Sequence, residues 1–340
     1  MANALGGIAF AVKGLSQIII SFINIKWFFF ALFGFQVFLK NKMKKQFYFI
    51  TAFEFVMGFL SYFSDFKTVM FFLAFMAIIF ISRVRLKHII ITSIVIIAAF
   101  FLGAKWTSIK SEYRSFLNQG KKSQSVTVTR EDALSKLIEL SSKDYEGIED
   151  PTTEFLDRIQ YTHHLAKAMD RVPAVIPYQD GENWKETLEF VLTPRALNPD
   201  KPRFEATKKT TKYTGIAYVG YESGTSFSLG YFADCYIDFG TIGMFLPLLI
   251  LGFIFGSTYY YFMKNCSSNF IFNYSIVGAM FMELHAFEMD STYLVGRLFS
   301  TLLTFYLLNV FFFPWLLRQL TSAVPDAPKQ SAGKTNLLPA

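Results

Sequence analysis

The segment VLTPRALNPDKPRF, residues 191–204, places Arg195, Lys201 and Arg203 among Pro194, Pro199 and Pro202. Each proline fixes its own φ angle and pushes the residue before it towards extended backbone, so the segment is stiff without being helix or strand. A stiff backbone holds its cationic side chains in set directions, and an arginine fork grips phosphate oxygens in a bidentate way. A solvated loop whose basic residues balance nearby acids accounts for the same composition. Upstream, Arg158 shares a stretch of helical periodicity with His163 and His164, which joins positive charge to titratable rings; a surface pair of histidines on an amphipathic helix is the plainer reading. Downstream, Asp234 and Asp238 are four residues apart and fall on one face of a helix. One could accept a proton and the other pair with an arginine, or both could serve as a cap or an ion pair. The stretch MELHAFEMDSTYLVGRL then gathers Glu283, His285, Glu288, Asp290 and Arg297. Arg297 falls inside an apolar run, where a charge needs an internal carboxylate or a bound phosphate.

The elements that must position these groups are built for lipid. Hydrophobic residues make up 52% of the 340, with 41 Phe, and charged residues 17%, against about 25% in soluble domains. Seven candidate spans follow from the apolar runs, at 15–39, 47–63, 67–82, 87–105, 232–258, 268–288 and 292–317. The second and third are short enough to form a tight pair or a re-entrant hairpin. Lys26 in the first and Glu54 in the second are further intramembrane charges of the same kind as Arg297. The start MANALGGIAFAVKG lacks a basic leader and a cleavage site, so the first span does the targeting. Basic clusters at 40–45 and 82–88 orient the chain with both on the cytoplasmic side. That places 106–230 outside and the N-terminus outside as well, an unusual arrangement that leads to the expectation of earlier spans upstream. The organisation is then an N-terminal membrane part (1–105), a large outer loop domain (106–230), a C-terminal membrane part (231–318) and a cytoplasmic tail of linker composition (319–340).

The net charge of +7 does not mark a nucleic-acid binder. Residues 106–230 hold 17 Lys/Arg against 18 Asp/Glu, so the excess lies beside the spans. Cys235 and Cys266 fall at opposite ends of one expected span, too far apart to pair, and neither has metal-ligand spacing. Within the outer loop, REDALSKLIELSSK and EDPTTEFLDRIQYTHHLAKAMDRV read as amphipathic helices, followed by a loop, a short helix and the proline-punctuated segment. There is no internal repeat, P-loop or dinucleotide fingerprint.

The run VPAVIPYQDGENWKETLEFVL, then TPRALNPDKP, then GTSFSLGYFADCYIDFGTIGMFLPLLILGFIFG resembles the bacterial oligosaccharide repeat-unit polymerases of the Wzy-type O-antigen family. The resemblance spans about residues 45–300 and is most specific over 172–256. In that family a Pro-Arg…Lys-Pro segment closes a large periplasmic loop, and a Thr-Ser, an acidic residue, an aromatic and a Phe-Gly open the next span. Asp234 stands where glutamate is commoner, which keeps a carboxylate. The resemblance implies an all-α, polytopic, GT-C-like membrane protein with about seven transmembrane helices and one mostly helical periplasmic loop. It implies a glycosyltransferase at the outer face of the bacterial inner membrane, joining undecaprenyl-diphosphate-linked oligosaccharides into O-antigen, capsule or exopolysaccharide, with no metal and no cofactor. A chain-length regulator is a possible partner.

Without a metal, the leaving diphosphate needs fixed cations and the acceptor hydroxyl a proton acceptor or orienting group. Arg195 is the first choice for the former, supported by Arg158, Lys201, Arg203 and Arg297; Asp234, Asp238 and His285 are candidates for the latter. Ser226 and Tyr236 complete the expected substrate contacts, because aromatic faces suit sugar rings. Three rivals remain. An O-antigen ligase shares this chemistry with a different acceptor. A lipid-linked-oligosaccharide transporter would place charge at the midplane and show paired repeats. A scaffold would use the outer domain to bind protein.

Overall fold

A computed structural model of the chain describes residues 22–60, 66–80, 84–120, 126–143, 152, 156, 161–193, 198, 200–202, 204–218, 226–282, 284 and 288–322. These residues are helical with no strand. In chain order the helices are α1 (Ile25–Lys40), α2 (Lys44–Phe59), α3 (Phe66–Phe80), α4 (Leu86–Leu117), α5 (Arg130–Ser142), α6 (Tyr161–Arg171), α7 (Glu182–Leu192), α8 (Ala206–Thr214), α9 (Tyr231–Gly243), α10 (Phe245–Asn265), α11 (Phe270–Met282), α12 (Ser291–Leu307) and α13 (Phe313–Ser322).

Among the described residues three helical stretches are long and apolar enough to cross a membrane: Leu86–Leu117, Phe245–Asn265 and Ser291–Gln319. Phe66–Phe80 and Phe270–Met282 are apolar but shorter. Helix α4 turns Ile90, Ile94, Ile97 and Phe101 outward, a surface that lipid tolerates and water does not. Its 32 residues extend about 48 Å at 1.5 Å each, well beyond a hydrocarbon core of about 30 Å. The excess is used: Trp106, Ile109, Tyr113 and Leu117 bury against Ala133 and Leu140 of α5. Helix α5 begins as its sequence predicts, with Thr129 accepting from the Asp132 amide and Glu131 and Asp132 in the first turn.

The phenylalanines form a second, larger core. Phe28, Phe30, Phe35, Phe47, Phe72, Phe272 and Phe313 are all buried in one cluster that joins α1, α2, α3, α11 and α13. Trp27 stacks on Phe72 with centroids 5.1 Å apart. On the flank of this cluster the Lys26 ammonium meets the Glu54 carboxylate at 3.0 Å, so the two charges read from the first two spans are each other's partner. The candidate span Ser291–Gln319 passes through a π-helical stretch, Leu308–Phe312, which ends two positions before Pro314. Proline has no N–H to donate and crowds the carbonyl four residues back, and a widened turn accommodates both defects.

The span read at 232–258 is corrected by the structure, because it is not one helix. The backbone breaks at Gly240 (φ 68°, ψ −172°), inside α9, so that residues 231–239 form one helical piece and the residues after it lead into α10. This conformation is open essentially to glycine alone. The carbonyls of Ile237 and Asp238, released from the ladder, accept from the amides of Gln179 (3.0 Å) and Asp180 (3.1 Å), so the break ties the turn before α7 onto α9. A Cβ at position 240 would meet the Tyr178 ring at 3.1 Å. Gly240→Ala is therefore expected to cost about 1–3 kcal/mol, measured as a lowered thermal unfolding midpoint in micelles; an unchanged midpoint would contradict the strain argument.

Candidate functional site

Helix α9 carries Asp234 and Asp238 on one buried face, and each carboxylate receives the N-terminus of a different helix. Asp238 serves α7. That helix starts after Gly181, which has φ 93° and no side chain to cap the free amides. Asp238 supplies the missing acceptor, taking the Asn183 side-chain amide at 2.6 Å and the Trp184 backbone amide at 3.0 Å. The far end of α7 has the opposite charge on it. The Lys201 ammonium donates to the Thr193 carbonyl at 2.7 Å and to the Phe190 carbonyl, and lies over the Phe190 ring. A carboxylate at the start and an ammonium at the end both match the helix dipole.

Asp234 serves α12, the start of the candidate span Ser291–Gln319. Its Oδ2 accepts from the Ser291 amide at 2.9 Å, beside Asp290, the N-cap, whose carboxylate accepts from the Thr292 amide at 2.8 Å. Two carboxylates thus meet one helix N-terminus. Lys209 of α8 lies between them, 2.7 Å from Asp234 and 3.0 Å from Asp290. Both aspartates are buried, at 0% and 1% exposure, so the ammonium neutralises charge that water does not reach. The cluster extends through hydroxyls: Thr187 of α7 lies 3.0 Å from both the Ser291 and Thr292 hydroxyls, and Tyr213 of α8 donates to the Asn183 carbonyl oxygen at 3.2 Å.

The electrostatics are those of a crowded anion pair. Burial alone would lower the Lys209 pKa, but Asp234 and Asp290 outweigh it and raise it above the ordinary lysine range. Burial and the neighbouring Asp234 charge push the Asp290 carboxyl up to about 6, against the opposing pull of Lys209.

Of the residues singled out from sequence, Arg158, Arg195, Arg203 and His285 lie outside the described residues, as does Glu283. Asp234 and Asp238 are brought together on one helix face, with Lys209 and Asn183 as their side-chain partners rather than an arginine. Lys201 is held by α7. Tyr236 is 4% exposed and gives its hydroxyl to the Val172 carbonyl at 2.8 Å, so its ring is enclosed. Ser226 is exposed beside Tyr293. Arg297 is on the exposed face of α12, one turn after Tyr293, and among the described residues it has no ion-pair partner, so the internal carboxylate expected for it is not found there. His163 is exposed, whereas His164 is half-buried with its Nδ1 2.8 Å from the Tyr218 hydroxyl; burial, then the adjacent His163, lowers its pKa. Among the described residues no cluster of His, Cys, Asp and Glu could hold a metal ion. Cys235 and Cys266 are free thiols.

Lys209, Asn183 and Thr187 were not read as functional from sequence. Lys209 sits in ATKKTTKYT, where four threonines mask the helical signal and a Lys-Lys pair looks like solvated charge. The one legible cue was Gly215 closing that segment, in the left-handed conformation typical of a helix C-terminus.

The chain belongs to the family described as a domain of unknown function, DUF8712, whose profile matches residues 2–311. No curated protein and no solved structure matches it.

The raised Asp290 pKa makes a signed prediction. Its folded value, about 6, exceeds the unfolded aspartate value of about 3.9. The folded state therefore holds the proton more tightly, and this group's contribution to stability is full below pH of about 4 and lost as pH rises through about 6. Relative to Asp290→Asn, the wild-type protein should lose stability between those limits, read from unfolding midpoints across the pH series. Parallel profiles for the two proteins would contradict the assignment.

Proposed function

We propose that this chain is a polytopic glycosyltransferase of the bacterial inner membrane that polymerises undecaprenyl-diphosphate-linked oligosaccharides at the periplasmic face. The reading takes the chain to cross the membrane about seven times and 106–230 to be periplasmic. The resemblance over 172–256 is its foundation. One structural observation carries it further: the flanks of the basic, proline-punctuated stretch are tied together at the mouth of a candidate span. Lys201 reaches back to the Thr193 carbonyl, and Phe204 packs on Tyr293 of α12 with ring centroids 5.3 Å apart. The outward-facing Arg297 follows one turn later.

In this reading Arg195 is the principal cation for the leaving diphosphate, with Arg158, Arg203 and Arg297 in support. The Lys201 ammonium, engaged by two carbonyls, holds the end of the segment in place. Asp234 and Asp238, engaged by two helix N-termini, keep α7 and α12 in register. His285 remains the candidate proton acceptor for the acceptor hydroxyl. Chain-length control by a partner protein is compatible with this arrangement, and the ligase alternative differs only in the acceptor.

The test is the surface-glycan ladder of cells lacking the gene and complemented with wild type, Arg195→Ala or Arg195→Lys, at matched membrane levels. Single-repeat glycan in the null strain, a ladder restored by wild type, and a loss of roughly 10²–10³ in polymerisation for Arg195→Ala are expected, the size typical of removing one transition-state stabilising donor. A full ladder from Arg195→Ala would remove Arg195 from the chemistry. Polymer that is made but not attached to its final acceptor in the null strain would favour the ligase.

A further inference from the structure

The outer helices present a line of aromatic rings that the packing of the fold does not use up. Tyr218 follows the end of α8, and its hydroxyl is fixed by His164 at 2.8 Å. Its ring lies against Phe227 with centroids 4.9 Å apart at a tilt of 33°. Phe227 is fixed in turn by its backbone: its amide donates to the Thr207 hydroxyl and its carbonyl accepts from the Thr210 hydroxyl, both at 3.0 Å. The preceding residue, Ser226, is exposed beside the Tyr293 phenol, which donates to the Phe204 carbonyl at 3.4 Å. Tyr293 is 37% exposed and packs edge-on against Phe204. The sequence of groups along the surface is thus ring pair, hydroxyl, ring pair. It runs along α8 from His164 to the flank of the basic segment and ends one turn from Arg297.

Rings serving only as packing sink into a core, as Phe28, Phe30 and Phe35 of α1 and Phe72 of α3 do. Here Tyr218, Phe227, Tyr293 and Phe204 are each partly exposed, yet hydrogen bonds hold the backbone or phenol of the first three. Preformed apolar faces alternating with a few fixed polar groups are the make-up of a small-molecule site, and large rigid rings contribute contact area at little entropic cost. A sugar chain is the matching ligand: each pyranose has an apolar C–H face and a rim of hydroxyls. A peptide would ask for unpaired backbone groups, and a lipid for an unbroken apolar surface.

We infer that Tyr218, Phe227, Ser226, Tyr293 and Phe204 form a glycan-binding track leading to the basic segment, which takes an oligosaccharide of several sugars. As a subsite for the growing chain it rests on the polymerase reading; as a carbohydrate site it does not. The probe is the oligosaccharide released by mild acid from the lipid-linked repeat units of the producing cell. It is titrated against the full chain in lipid nanodiscs and followed by saturation-transfer NMR. Tyr218→Leu and Phe227→Leu keep apolar bulk and remove the ring; Tyr218→Trp and Phe227→Tyr keep a ring. The leucine variants should bind roughly tenfold more weakly, as expected for loss of one aromatic contact, and the aromatic variants should bind as wild type does. In cells the leucine variants should shorten the glycan ladder at unchanged protein level. Equal binding by leucine and aromatic variants, or no binding by wild type, would overturn the track. Weaker binding by the leucine variants in a protein whose deletion leaves the ladder intact would keep the track and sink the polymerase reading.

Discussion

A single ammonium, that of Lys209, ties α8 to α9 and to the start of α12. Lys209 is 14% exposed at its side chain and contacts two aspartates that are fully or almost fully enclosed. Those aspartates come from different elements: Asp234 from α9 and Asp290 from the cap of α12. Bringing two carboxylates to one helix N-terminus is favourable for the dipole but unfavourable for their mutual repulsion. The lysine resolves that conflict, and in doing so it fixes α8 against both partners. Helix α8 has little intrinsic helical preference, with four threonines in nine residues. Its order comes from these contacts and from its hydroxyls, such as Thr210, which bonds both the Ala206 and Phe227 carbonyls.

The same logic repeats one turn along α9. Asp238 completes the N-terminus of α7, Lys201 completes its C-terminus, and Thr187 on the same helix touches the first residues of α12. Helix α7 is thus bonded at its start, middle and end. The break at Gly240 adds the last restraint, because the carbonyls it releases bind the turn that feeds α7. Positioning of the basic segment follows from this chain of contacts: it leaves from the end of α7 and returns at Lys201 and Phe204, beside α12.

Much of this was legible. The apolar runs gave the long helices, the acid-rich first turn gave α5, and the four-residue spacing gave Asp234 and Asp238 a shared face. The partners were not legible. The ion pair of Lys209 joins residues 25 and 81 positions away, and nothing local distinguishes it from its neighbour Lys208, which remains on the surface with Glu205. The broken span was hidden for a related reason. Residues 232–258 are mostly apolar, with Asp234 and Asp238 the only charges, so composition argues for one helix, and only the backbone of Gly240 reveals two. Arg297 shows the converse: its apolar surroundings called for an internal carboxylate or a bound phosphate, and its helix turns it outward, away from the first of these.

The claim that Lys209 couples α8 to α9 and α12 is tested most directly by a double-mutant cycle. Unfolding free energies of wild type, Lys209→Met, Asp234→Asn and the double variant would be measured by reversible detergent titration in mixed micelles. Lys209→Met should cost about 3–5 kcal/mol, the size expected when one partner of a buried pair is removed. The double variant should cost less than the sum of the singles by roughly 1–3 kcal/mol, as for residues in direct contact. Additive losses would mean that the two side chains do not act together, and the account of how α8, α9 and α12 are held would fail.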